Sequence, residues 1–237
     1  MIQFYQFPGA WGLSSASPFC IKLETYFRMT QTPYNTHIQT DFSKAPKGKV
    51  PYIEDKEQKI GDSGLIIDYL TANYGIQLPD KLSPQEKAIE RSMLRLIEEH
   101  LYWVMVYSRW GDADNFQVLK EVIFAGLPGI LKPFIPKIAR KQVLQNVRAH
   151  GMGRHTPEEI YDLGNSNITA LSDFLQDKPF FFGKSPSILD ASAYGLLVSI
   201  LKSPIESPLK AHTSKCQNLV DFCKRIEDKY YGEQLDA

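Results

Sequence analysis

Three cysteines in 237 residues, Cys20, Cys216 and Cys223, are too few and too unevenly spaced for a disulfide framework, and no further ligands complete a zinc spacing. A reducing compartment fits that usage. Surplus charge is missing as well: 27 Lys plus Arg balance 27 Asp plus Glu, so no global field recruits a polyanion. With no zinc or RNA-binding motif either, nucleic acid is not an expected partner. No run approaches the ~20 apolar residues that a helix needs to cross a bilayer. The opening residues, Met1 to Pro8, lack the basic, apolar and small-residue order of a signal peptide. These absences predict a cytoplasmic protein with no transmembrane segment and no metal. Internal repeats and low-complexity tracts are absent too.

What is present is a composition that folds. Hydrophobic residues at 43% and aromatics at 12% can bury a core for one large or two small domains. Ile2 to Phe7 is a run of strand formers stopped by Pro8-Gly9, and Pro18 to Met29 has helical spacing, with Phe19, Leu23, Tyr26 and Phe27 on one face. Short strands are predicted at Tyr34–Ile38, Pro51–Glu54 and Gln58–Ile60. A helix from Leu65 to Tyr74, opening at Asp62-Ser63, completes the order β-α-β-β-β-α. The stretch Gly75 to Pro84 reads as a connection, because strand patterns vanish after it. Helices are expected near Pro84–Tyr107, Phe116–Ala125, Ile130–Ala149, Pro157–Leu175, Ile188–Lys202 and Lys215–Tyr231. The fold class is therefore α/β plus all-α, with domains at 1–75 and 84–237.

Three short motifs carry candidate chemistry. Ser17-Pro18-Phe19-Cys20 opens the first helix, where a hydroxyl beside unpaired backbone N–H groups serves either as an ordinary cap or as a stabiliser of an anion such as a thiolate. Gly48-Lys49-Val50-Pro51 precedes a strand; with a cis bond before Pro51, the Val50 backbone can offer its N–H and C=O to an extended peptide. Asp62-Ser63 reads as a helix N-cap, and equally as a pair that meets an ammonium and a carboxylate at one spot.

The order and spacing of these motifs resemble the glutathione transferase superfamily. So do Pro179-Phe180-Phe181-Phe182-Gly183 and the Ser187-x-x-Asp190 capping box that follows them. Within it, Ser17 to Arg28, Lys44 to Asp55, Asp62 to Tyr69 and Gly151 to Ile160 look most like the failed-axon-connections and metaxin-like branch. The resemblance implies a thioredoxin-like N-terminal domain that takes glutathione as co-substrate, an all-helical C-terminal domain and a homodimer. It places Ser17 at the position of a catalytic Ser or Cys, with Ser14 and Ser15 as rivals for the hydroxyl. It gives Lys49, Val50, Pro51, Asp62 and Ser63 to glutathione. Cys20 falls where glutaredoxins keep a second cysteine, and without the first it reads as a small buried residue.

The implied reaction transfers glutathione to a small hydrophobic electrophile, lodged between the loop around Trp11 and the helices holding Tyr102, Trp103, Tyr107 and Trp110. The alternative implied by the same branch is a binding protein that works through a partner without turnover. One stretch lies outside both readings. From Val122 to Pro157 there is no acidic residue, while Lys132, Lys137, Arg140, Lys141, Arg148 and Arg154 stand among Ile130, Leu131, Phe134, Ile135 and Ile138. It is either a solvated basic face with its apolar side in the core or a surface for an anionic membrane or acidic partner. His155-Thr156-Pro157 reads as a helix start without chemistry.

Overall fold

The computed structural model of the chain describes residues 1–79 and 81–232. Asp80, in the expected connection, and 233–237, at the end of the expected second domain, lie outside the described residues. The first elements are β1 (Ile2–Gln6), α1 (Pro18–Met29), β2 (Tyr34–Ile38), β3 (Tyr52–Asp55), β4 (Gln58–Gly61) and α2 (Ser63–Tyr74). They form one sheet of order β2-β1-β3-β4, with β1 and β2 parallel and β3 antiparallel to both β1 and β4. Parallel neighbours need a crossover, and α1 supplies it. β1 alternates as the pleat requires: Ile2, Phe4 and Gln6 point inward, and Phe4 meets Phe27 of α1 edge-on at 5.5 Å. β3 and β4 join through Lys56-Glu57, both with positive φ (47° and 68°), a two-residue hairpin made without the glycine or asparagine that usually announces it.

The remaining elements are helical: α3 (Pro84–Arg95), α4 (Tyr102–Trp110), α5 (Ala113–Ile123), α6 (Ile135–His150), α7 (Pro157–Leu175), α8 (Ile188–Leu201), α9 (Pro208–Thr213) and α10 (Gln217–Tyr230). A wide π-helical stretch, Leu96–Leu101, joins α3 to α4. The helix expected from Ile130 starts at Ile135 instead, because Pro133 and Pro136 have no N–H to donate and Pro136 takes the first-turn position where none is wanted. α9 is not among the expected helices, although Ser207-Pro208 is a start signal: the Ser207 hydroxyl accepts from the Lys210 N–H at 3.2 Å. α7 opens with a Thr156–Glu159 capping box. Asp190 fixes the start of α8 by accepting from the Ser187 N–H at 2.7 Å and the Phe181 N–H at 2.9 Å.

α8 is apolar all round, and every residue from Leu189 to Ile200 is buried, as expected of a central helix. It packs along α1, whose other face covers the sheet. Burial of large side chains such as Leu189, Leu196 and Leu197 contributes about 1.5–3 kcal/mol each. The helices approach so closely at Gly195 that a Cβ there would lie 2.5 Å from the Pro18 carbonyl oxygen and 2.9 Å from the Lys22 nitrogen. Both are backbone atoms, which cannot swing aside. Gly195→Ala is expected to cost about 1–3 kcal/mol, read as a lower urea midpoint by circular dichroism. Gly126→Ala, with nothing within 4 Å of its Cβ, should change stability by less than about 0.5 kcal/mol.

Candidate active site

A cavity of about 590 Å³ opens between the sheet domain and the helices, within the range of small-molecule sites. Ser17, Lys49, Val50, Pro51, Asp62, Ser63, Tyr102 and Trp110 all line it. Two helix N-termini therefore face one space. At α1 the first turn holds no acidic residue, and the Ser17 hydroxyl makes no capping hydrogen bond, so this positive helix end is not neutralised by its own chain. At α2 the cap is occupied: Asp62 Oδ1 accepts from the N–H groups of Gly64 at 2.9 Å and Leu65 at 3.1 Å. Asp62 holds φ at 87°, a conformation that costs an ordinary residue about 1–3 kcal/mol. Its carboxylate stays exposed while Ser63 is buried beside it. The Val50–Pro51 bond is cis, and ladder pairing of this strand begins only at Tyr52 opposite Gly61, which leaves the Val50 backbone outside the sheet.

The far wall comes from the α3–π–α4 rod, whose Arg95, Glu98, Tyr102, Met105, Val106 and Arg109 look into the cavity. Spacings of three and four put these residues on one stripe. Glu98 is buried and holds three partners: the Lys22 ammonium at 2.7 Å, the Ser192 hydroxyl at 2.8 Å and Arg95 at 3.2 Å. Arg109, 6% exposed, donates to the carbonyls of Ala16 at 3.1 Å and Ser199 at 2.9 Å. Burial lowers its pKa to about 10, which leaves it charged at neutral pH. It forms no ion pair among the described residues. Burial raises the Tyr102 phenol, so this ring stays neutral at the cavity wall.

Trp11 and Tyr107 lie outside the lining. Trp11 sits 5.3 Å from the Arg109 guanidinium and packs toward Phe116, Leu119 and Ile205. Tyr107 is turned off the stripe toward Tyr161, 6.0 Å away. Of the rival hydroxyls, Ser15 is spent on the Phe7 carbonyl at 3.0 Å, and Ser14 faces a separate small recess. Cys20 is fully buried behind Ser17; burial pushes its thiol up to about 11, against smaller lowering effects from the Phe7 backbone and the Ser17 and Ser15 hydroxyls. A thiol that stays protonated is a poor nucleophile. Trp103 lines the cavity as expected. Sequence reasoning missed Phe7, Lys47, Glu98 and Arg109; for Glu98 and Arg109 the three-and-four spacing from Arg95 to Arg109 was the available signal. No helix among the described residues is long and apolar enough to cross a membrane, and no His, Cys, Asp or Glu cluster among them could hold a metal.

Comparison with known proteins gives the family and the fold. Residues 18–115 match the glutathione S-transferase N-terminal domain family, and residues 164–226 match the glutathione S-transferase C-terminal domain family. The chain is 35% identical over 236 residues to isoprene-epoxide glutathione S-transferase of Rhodococcus sp. (strain AD45), covering 97% of this chain and 99% of that one. It is 33% identical over 245 residues to failed axon connections of Drosophila melanogaster, covering 98% of this chain but 59% of that longer protein. Metaxin-1 of Sus scrofa is 27% identical over 97% of this chain and 75% of its own. Among solved structures, a glutathione S-transferase of Ceriporiopsis subvermispora in complex with glutathione superposes with a TM-score of 0.66 at 18% identity, covering 96% of this chain and 97% of that one.

The three thiols separate by burial. Cys20 is buried with a thiol pushed up to about 11, and burial pushes the Cys223 thiol higher still, whereas Cys216 is partly exposed at the start of α10. Iodoacetamide at neutral pH should therefore modify Cys216 alone in the native protein, with Cys20 and Cys223 labelled only in denaturant, as read by peptide mass spectrometry. Fast native labelling of Cys20 would overturn its assignment as a packed residue.

Proposed function

Since the chain belongs to the glutathione S-transferase superfamily, in the branch that holds failed axon connections and the metaxins, we propose that it binds glutathione, activates its thiol and transfers it to a small hydrophobic electrophile. The observation that carries this reading is the uncapped Ser17 hydroxyl at the start of α1, sharing one cavity with Val50, Asp62 and Ser63. In the proposed complex Asp62 meets the γ-glutamyl ammonium, while the Ser63 hydroxyl and the α2 N-terminus take the neighbouring carboxylate. The free Val50 backbone aligns the cysteinyl unit, with Pro51 shaping that edge, and the exposed Lys49 reaches the glycyl carboxylate.

Ser17 then donates its hydroxyl proton as a hydrogen bond to the sulfur. A free thiol of pKa about 8.5 is only a few per cent ionised at neutral pH, and lowering that value by two corresponds to ~2.7 kcal/mol. One hydrogen bond to a charged group supplies roughly 1.5–3 kcal/mol, with a smaller addition from the helix end. The thiol proton passes to water, the thiolate attacks carbon and a C–S bond forms. With an epoxide, the substrate type named for the Rhodococcus relative, the C–O bond breaks, the oxygen takes the electron pair and a proton from water completes the alcohol. Tyr102 and Trp110 form the apolar wall for this substrate, supported from behind by Trp11 and Tyr107. The reading keeps the protein cytoplasmic and homodimeric, with domains at 1–75 and 84–237.

A second reading, a protein that keeps the pocket and works through a partner without turnover, is favoured by the similarity to failed axon connections and metaxin-1, whose names state no reaction. Glutathione calorimetry and a panel of small epoxides separate the two. For the transferase, Ser17→Ala should leave the glutathione Kd within about threefold but lower kcat/KM by roughly ten- to hundredfold, with thiolate absorbance lost at neutral pH. Asp62→Ala should weaken glutathione by a similar factor. Tight glutathione binding without turnover of any electrophile would select the second reading, and unchanged thiolate in Ser17→Ala would remove Ser17 from the mechanism.

A further inference from the structure

The stretch between α5 and α6 departs from the rule that large apolar side chains cluster inside. Ile130, Phe134 and Ile138 are 82%, 65% and 64% exposed, and Leu131 and Ile135 are exposed beside them. Residues 128–135 are exposed without interruption. The apolar side of this basic stretch is therefore not in the helical core. Elsewhere among the described residues, the exposed large apolar side chains are Met1, Ile38, Leu65 and Tyr74, scattered over separate elements. Single exposed residues need no explanation, whereas a contiguous patch marks an interaction surface.

The charge around the patch has one sign. No Asp or Glu occurs between Val122 and Pro157. Lys132, Lys137, Lys141 and Arg148 are exposed, and none forms an ion pair among the described residues. On α6 the helical period sets Lys137, Lys141 and Arg148 in a stripe alongside Phe134 and Ile138. Pro128, Pro133 and Pro136 reduce the number of backbone N–H groups that must be desolvated at this tip. The patch is also fixed in place: Arg140 donates to the carbonyls of Trp110 at 2.8 Å and Gly111 at 2.7 Å, and Ile123 before it and Val143 after it line the cavity.

We propose that this segment docks the protein peripherally on an anionic lipid surface. Ile130, Leu131, Phe134 and Ile138 enter the boundary between headgroups and acyl chains, and Lys132, Lys137 and Lys141 meet lipid phosphates. A two-fold contact between copies through the same patch would instead set like lysines against one another.

Sedimentation of the full chain with phosphatidylcholine vesicles, with and without phosphatidylserine, tests this. Binding should require phosphatidylserine, fall as salt rises, and drop roughly fivefold at low salt for each of Lys132→Gln, Lys137→Gln and Lys141→Gln. The triple change Ile130→Ser, Phe134→Ser, Ile138→Ser should remove binding without lowering Tm, because these side chains are mostly exposed and lie outside both core clusters; the lysine series decides the matter if Tm does fall. The proposal is overturned by no pelleting on anionic vesicles at low salt, by equal pelleting on uncharged ones, or by wild-type binding of the lysine variants. Self-association that the triple change abolishes, with no vesicle binding, would assign the patch to a second copy and overturn it too. None of these readouts involves glutathione.

Discussion

The close contact between α1 and α8 governs the geometry of everything around it. Gly195 lets the two backbones meet at a distance no side chain would permit, and one turn along α1 the Lys22 ammonium reaches across to Glu98. A buried ion pair contributes little net stability over an apolar pair of equal shape, because desolvating both charges offsets their attraction. Its geometry is nevertheless demanding. Glu98 is satisfied only if α1, α8 and the α3–α4 rod keep one register, since its partners Lys22, Ser192 and Arg95 come from all three. Arg109 adds a second tie between the same elements through Ala16 and Ser199. The start of α1, and with it Ser17, is thereby held against the helical half of the molecule rather than by the sheet alone.

That arrangement gives the cavity its electrostatic character. Both helix ends that face it carry partial positive charge, yet they are treated differently. α2 is capped by an exposed carboxylate at Asp62, so its surroundings suit a ligand end that carries both charges. α1 has no first-turn acid, and its Ser17 hydroxyl touches the protonated Cys20 thiol behind it, which leaves the helix end open toward the cavity. The opposite wall mixes the neutral Tyr102 ring with the buried Arg109 cation, apolar enough for a hydrophobic molecule yet able to tolerate developing negative charge.

The rim is less conventional. The proline-rich turn before α6 leaves its apolar side chains outside, and α6 is stapled to the end of α4 by Arg140. A surface segment that is apolar and basic contrasts with the rest of the described exterior, where large apolar residues occur singly. Ile123 before it and Val143 after it line the cavity, so the segment is joined at both ends to the cavity wall.

Local signals in the sequence were sufficient for most of the architecture. The Pro18 start of α1, the strand runs, the Ser187–Asp190 box and the long helical periods each depend on neighbours a few residues apart, and elements set by such short-range chemistry emerged within a few residues of expectation. Places where proline and turn geometry compete with periodicity did not, as at Ile130 to Phe134, where an apolar repeat that looks helical is broken by Pro133 and Pro136. The candidate residues at helix starts, Ser17, Asp62 and Ser63, were legible because capping positions have a composition of their own. Tyr107 and Trp11 were not separable from Tyr102 and Trp110 by type, since which side of α4 faces the cavity depends on where α7 and Arg109 sit. Glu98, Lys22 and Arg109 carried no mark of burial in the sequence, where charged residues are expected on the surface. Their roles came into being only when three helices from distant parts of the chain closed around them, which is a decision of tertiary packing that no local pattern encodes.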